Sequence, residues 1–433
     1  MKNYIAFICI LAVCPAYADM YSELQKVYDT NPTIRAAMAD VNVATADVNA
    51  ARTGYQPYLG LAGNIGMANT NLHTDNQMLH QFIGGSEDYV PSEIGVQFQQ
   101  NLFSGFSTVA NIKSAKAARR ASESALNATQ SAVFYDAINA YINVLNTREL
   151  LKLAEGNEKV LTQYYDNFKS RQKVGQMTKT DVAQASARLE GSKYQTADAR
   201  ANYDNAMETF KRIYGTNGTE FTDIDISKMN KYFPESLESA EEYALKHNQS
   251  LSALDSKRDA VNETVVSARK SMLPSVDLRA SYMQVNNMPY VDRIRDGRVG
   301  VYVSVPLYDK GGAFSQVDKV RATVAGIDEQ RINAQNTIVE NIRSAWNIYN
   351  AQETAITAGQ AAVKAAEMAL SGVKDEQRNG RRTVLDVLNA EQELLNARVS
   401  LVRAQHGKTS AYFAILAAMG ELTPETLGLK SKE

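Results

Sequence analysis

The chain has 433 residues, 44% of them apolar and 22% charged, with a formal net charge of −2. This composition excludes a collagen, a disordered tail and a helical multi-span membrane protein. Its 46 basic residues are balanced by 48 acidic ones, so no global positive field exists to draw in nucleic acid.

Residues 1–18 carry Lys2, an apolar run from Ile5 to Val13 and the triplet Ala16-Tyr17-Ala18, the pattern of an export signal cleaved after a small residue. The mature chain is therefore expected to begin at Asp19. Cys9 and Cys14, the only two cysteines, leave with the signal, so neither a disulfide nor a thiolate metal site is expected. Acylation of Cys14 is the competing reading, and Val13 is bulkier than the residue usual before an acylated cysteine. Beyond residue 18 no apolar run approaches the roughly 18 to 20 residues of a membrane helix.

The rest is one unit written twice. At an offset of 217, Asn31 matches Asn248, Ala51-Arg52 matches Ala268-Arg269, Pro57 matches Pro274 and Leu61 matches Leu278. From Leu102 the offset is 205, pairing Leu102-Phe103 with Leu307-Tyr308, Gly175 with Gly380, Thr178 with Thr383, Asp181-Val182 with Asp386-Val387 and Gly215 with Gly420. The change from 217 to 205 leaves 12 extra residues in the first copy, between Leu61 and Leu102. The domain boundaries are a first repeat over 19–215, a linker or equatorial segment over 216–244, a second repeat over 245–420 and a tail over 421–433.

Each repeat contains one strand pair. Apolar residues alternate with period two over about 57–68 and 92–103 in the first copy, and over about 274–284 and 298–307 in the second. Val276, Leu278, Ala280 and Tyr282, for example, oppose Ser275, Asp277, Arg279 and Ser281. Long helices follow, because no proline falls between Pro91 and Pro234 or between Pro306 and Pro424, and a helix interior tolerates proline badly. The spacing predicts helices over about 106–173 and 313–378, on the order of 100 Å each at ~1.5 Å per residue. Val320, Val324, Ile327, Ala334, Ile338, Ile342, Ala345 and Tyr349 form a coiled-coil-like stripe. Trp346 continues a helical face and is read as a packing residue. Each helical window breaks once, at a hairpin tip over 174–178 and over 379–383, where glycine suits the turn.

Each strand is long enough to cross a bilayer when tilted. A sheet in lipid leaves no edge unpaired, and four strands are fewer than the roughly eight of the smallest bacterial barrels. Closure therefore requires several chains; two would give eight strands and three twelve. The alternative is a periplasmic coiled-coil spacer or adhesin that forms no pore. No HExxH, GxSxG, Walker loop or dinucleotide fingerprint stands in a suitable context, so neither an enzyme nor a cofactor is expected.

The duplicated helix-turn-helix, Asn31-Pro32, the paired Pro57 and Pro274, Leu307-Tyr308-Asp309 and the run Asn379-Gly380-Arg381-Arg382-Thr383-Val384-Leu385-Asp386-Val387-Leu388 resemble the TolC family of outer membrane efflux and secretion proteins over nearly the whole mature chain. The resemblance implies a mainly α fold with transmembrane β: a homotrimer with a twelve-stranded barrel in outer membrane lipid and a tunnel of helical hairpins in the periplasm. It further implies a channel gated at its periplasmic end, a periplasmic adaptor protein and an inner membrane transporter of the ABC or RND type.

For the site, the resemblance implies a constriction at Asp386 with Asn389 standing where the family often has a second aspartate. It implies a latch at Arg382 with acceptors Thr180 and Asp181, partly on a neighbouring chain, and it places Gln377 where a tyrosine is common. Adaptor docking falls on the tips at Val174, Gly175, Asn379 and Gly380. Three Asp386 carboxylates in a ring would attract cations and raise one another's pKa. His73 and His80 fall in the insertion, read as an extracellular loop, and their spacing fits no usual metal pattern; His247 and His406 are read as packing or surface residues.

Overall fold

Asn31-Pro32 opens the described chain's first helix pair. Helix α1 (Met20–Thr30) stops where the Asn31 side chain caps α2 (Pro32–Arg52), its Oδ1 accepting from the Thr33 amide at 2.8 Å, with proline at the first helical position, where no amide is needed. The computed structural model describes residues 20–72, 75, 78, 85–216, 221–289 and 291–430. The export signal, His73 and His80 lie outside them.

The chain continues through β1 (Tyr58–Ile65), β2 (Ala68–Leu72), β3 (Gly85–Tyr89) and β4 (Ser92–Ser104) into α3 (Ser107–Lys173) and α4 (Lys179–Tyr214). The second half repeats the order: α5 (Leu237–His247), α6 (Gln249–Ala268), β5 (Ser275–Met288), β6 (Val291–Ser304), α7 (Gly312–Arg378) and α8 (Val384–Met419). Helices α3 and α7 have 67 residues each, and α4 and α8 have 36 each, so the duplication holds to the residue in the hairpins. None of the described helices is long and apolar enough to cross a membrane.

Three elements differ from the sequence reading, the third strand running on to Met288 instead of ending near residue 284. The first strand ends at Ile65 because Gly66 turns and donates to the Pro91 carbonyl at 3.2 Å, and the insertion then builds its own β2/β3 pair. The last strand starts at Val291 and ends at Ser304: the charges of Asp292 to Arg298 disguise its beginning, and Pro306, which has no amide, stops it.

The chain divides into two compact units. One comprises Ala39–Ser124 and Ser252–Asn333 and holds an antiparallel sheet in the order β1-β4-β5-β6. The register aligns Leu61, Val96, Tyr282 and Gly297 in one row across the sheet, and Leu59, Phe98, Ala280 and Val299 in the next. Rows of Leu278 with Val301 and of Val276 with Val303 follow toward the helices. Their face is apolar yet open, with Leu61 72% and Val299 80% exposed. The opposite face carries Gln97, Gln99, Asn101, Asp277, Arg279 and Arg298; Asn101 donates to Asp277 at 3.0 Å and Arg279 lies over the Tyr302 ring.

The other unit takes the described residues up to Met38, Ala125–Leu251 and those from Ala334 onward. Phe134, Ile138, Tyr141, Phe210, Tyr214 and Phe413 are fully buried in its core. Phe210 stacks on Tyr214 at 4.1 Å and meets the edge of Phe221 at 5.0 Å. Phe233 stacks on Tyr412 at 4.5 Å and Trp346 at 6.0 Å, so the tryptophan packs. The tail returns to α1, where Gln25 exchanges two hydrogen bonds with the Lys430 backbone at 2.7 and 3.1 Å. Removing the Phe210 ring should leave a cavity costing about 3 to 5 kcal/mol, so Phe210→Ala is expected to lower the thermal midpoint of the helical circular dichroism signal by several degrees.

Candidate functional site at the hairpin tips

Each long helix stops by the same device. Gly380 adopts φ +73°, its amide bonding the Gln377 carbonyl at 3.0 Å while the Arg381 amide reaches back to Glu376 at 2.9 Å; Gly175 at φ +78° does the same through Gln172 and Arg171. This left-handed closure suits glycine because a Cβ would be strained there. The next helix starts at once. Thr383 caps α8, its Oγ1 accepting from the Asp386 amide at 3.2 Å, and Asp386 Oδ2 accepts from the Thr383 amide at 2.9 Å and hydroxyl at 2.8 Å. Thr178 and Asp181 repeat this capping box at the start of α4.

Asp386 is therefore first a cap. The Thr383 amide and hydroxyl, with Arg382 nearby, hold its carboxyl below the usual aspartate range, the reverse of the rise expected from a ring of like charges. Asn389, one turn further, is exposed, and its Oδ1 accepts from Arg188 of α4 at 2.9 Å. Arg382 pairs with Glu376 of its own hairpin at 2.9 Å, and not, within one chain, with Thr180 or Asp181. Thr180 is exposed on the first turn of α4, and Gln377 is half-buried. Val174, Gly175, Asn379 and Gly380 are all exposed at the tips.

The two hairpins of one chain are tied just behind these tips. An apolar seam of Leu161, Phe168, Ala185, Leu189, Val384 and Leu388 joins them. Beside it Glu391, whose side chain is 11% exposed, receives Lys374 at 2.8 Å and the Tyr164 hydroxyl at 2.9 Å. Burial raises the Tyr164 pKa above its ordinary value. Burial also works against the Lys374 charge, but hydrogen bonds with Glu391 and Tyr164 outweigh it and hold the ammonium above its usual range. The sequence reading missed Tyr164, Arg188, Lys374, Glu376 and Glu391. One signal was available: Lys374 matches Lys169 at the repeat offset. His406 faces Glu149 at 3.2 Å, and His247 stacks on Tyr243 at 4.2 Å.

A family model described as outer membrane efflux protein matches residues 24–216 and 242–421. The chain belongs to this outer membrane efflux protein family. Among family members, it is 28% identical to outer membrane efflux protein BepC of Brucella suis over 94% of this chain and 86% of that protein. It is 26% identical to outer membrane protein TolC of Escherichia coli over 93% and 83% respectively. The Campylobacter jejuni CmeC outer membrane channel superposes with a TM-score of 0.81 at 16% identity, covering 93% of this chain and 86% of that one. VceC of Vibrio cholerae gives 0.78 at 18% identity, covering 93% and 96%. As a family member the chain is an outer membrane channel of a Gram-negative bacterium that extends into the periplasm and serves efflux or secretion.

The capping boxes yield a pH-dependent expectation. Because the Asp386 pKa is depressed in the fold, its contribution is present above the unfolded value of about 3.9 and is lost as pH falls through the lower folded value. Thr383→Ala should cost about 1 kcal/mol at this helix start, read as about fivefold faster amide exchange of Val384 to Val387 near neutral pH. In Asp386→Asn the same amides should show a smaller change on acidification than in the wild type.

Proposed function

We propose that three copies of the chain close one twelve-stranded barrel, β6 of each pairing with β1 of the next, and that their helical hairpins continue the bore into the periplasm. The observation that carries this reading is the sheet itself: β1 and β6 are its two edges, and the face bearing Leu61 and Val299 is apolar and exposed. In hydrocarbon an unpaired strand edge costs several kcal/mol per group, so edges and apolar face are satisfied together only by closure in lipid. The duct is passive: a periplasmic adaptor docks at Val174, Gly175, Asn379 and Gly380, and an inner membrane transporter of the ABC or RND type supplies the energy.

The gate lies at the tips. Asp386 from each copy forms a carboxylate ring with Asn389 beside it, and the Thr383 cap offsets mutual repulsion, so the ring stays ionised at neutral pH and favours cations. Arg382, steadied by Glu376, latches to Thr180 and Asp181 of a neighbouring copy; Asp181 uses only Oδ2 in its own cap. Exposed pairs of this kind contribute roughly 0 to 1 kcal/mol each, weak enough for a docking partner to release. The Tyr164–Lys374–Glu391 tie instead keeps the two hairpins of one copy moving as a body.

Planar bilayer recordings test this reading. Wild-type protein should conduct, migrate as a heat-sensitive oligomer on gels and show cation-shifted reversal potentials; absence of both conductance and oligomer would favour a spacer that forms no pore. Arg382→Ser should raise resting conductance by about twofold or more, the scale of one lost weak pair. Asp386→Ala should move the reversal potential toward zero, and an unchanged potential would take Asp386 out of the filter.

A further inference from the structure

The apolar face of the sheet does not run its full height. Beyond the row of Leu61, Val96, Tyr282 and Gly297, away from the helices, the register continues with Gly63, Ile94, Gln284 and Arg295, then with Ile65, Ser92, Asn286 and Arg293. Arg295 Nε donates to Gln284 Oε1 at 3.2 Å and Arg293 Nε to Asn286 Oδ1 at 3.1 Å. Gln284 donates in turn to Asn286 at 3.0 Å. Among the described residues, both guanidinium groups are thus held by neutral amides through Nε alone, and both arginines are exposed.

Neither has a carboxylate within ion-pair distance among the described residues. Glu93 and Asp296 pair into the opposite face, and Asp292 alternates with Arg293 and so projects to the other side. The outward-facing patch is therefore positive and uncompensated. Eleven residues along β5 separate Ser275 from Asn286, which at ~3.3 Å each and a ~40° tilt is about 28 Å of height. Outer membrane barrels carry an apolar band of ~25 Å, so Arg293 and Arg295 emerge at the far headgroup level. With the helices in the periplasm, that level is the outer leaflet.

We propose that Arg293 and Arg295 bind the phosphate groups of the phosphorylated glycolipid that forms this leaflet. A guanidinium with its two terminal nitrogens free matches phosphate bidentately and stays charged at any physiological pH. The inference rests on the channel reading above, which sets which end of the sheet faces outward. The patch recurs once per copy around the barrel and fastens it to the outer leaflet.

The test uses the full-length, detergent-solubilised oligomer and bisphosphorylated lipid A as the probe, with retained lipid counted by native mass spectrometry. Wild type should retain lipid A about thirtyfold more strongly than Arg293→Gln/Arg295→Gln, two arginines' worth of surface attraction. Arg298→Gln, on the opposite face, should match wild type, and Arg293→Lys/Arg295→Lys should retain part of the preference. Equal retention by wild type and the double glutamine variant, in protein that conducts, would overturn this inference alone. So would displacement of lipid A by millimolar inorganic pyrophosphate, since the ligand would then be free phosphate. Wild-type protein that forms no conducting oligomer would overturn the channel reading and this inference with it.

Discussion

A strand edge has nowhere to put its amides and carbonyls in hydrocarbon, and the rest of this molecule is arranged around that difficulty. The four-stranded sheet pairs its inner strands fully and leaves β1 and β6 with one side each. Among the described residues, no second layer covers its apolar rows. In the assembly proposed above, lipid covers the rows but cannot satisfy the edges, whereas another copy satisfies the edges without covering the rows. In that proposal assembly and membrane insertion are two halves of one requirement, which lets a channel protein have so short a sheet and so large a helical part.

Duplication explains how the helical part combines uniformity with asymmetry. Residues that both halves share, Gly175 with Gly380, Thr178 with Thr383 and Asp181 with Asp386, close and restart the helices. Residues present in one half only make the other polar contacts at the tips. Arg382 stands opposite Met177 in the repeat, Glu391 opposite Ser186 and Asn389 opposite Gln184. The shared set builds two matching turns, and the unshared set makes them unequal.

This division also accounts for what could be read without coordinates. Proline spacing exposed the long helices because proline is excluded from their interiors for a local, steric reason. Period-two alternation exposed the strands wherever their outward residues were apolar, and failed at Asp292 to Arg298, where the outward positions are arginines held by amides. The β2/β3 pair was hidden by its polar sequence, Ala68 to Leu72 and Gly85 to Tyr89, which lacks an apolar face. At the tips, threonine three residues before an acid is a helix-start signal, and it marks Asp386 as a cap. The Tyr164–Lys374–Glu391 tie joins residues of three helices, and no short-range pattern announces a contact that only folding brings together.

The strap between Gln25 and Lys430 has a consequence for biogenesis. The unit it fastens joins α1, the middle of the described chain and the segment running to Lys430, so its core cannot be completed until Leu427 and Lys430 have crossed into the periplasm. Chain-closure entropy on that scale makes maturation slow relative to local helix growth. Translocation thereby sets the earliest moment at which a subunit can be finished, and truncation from the carboxyl end would be felt first at the opposite terminus.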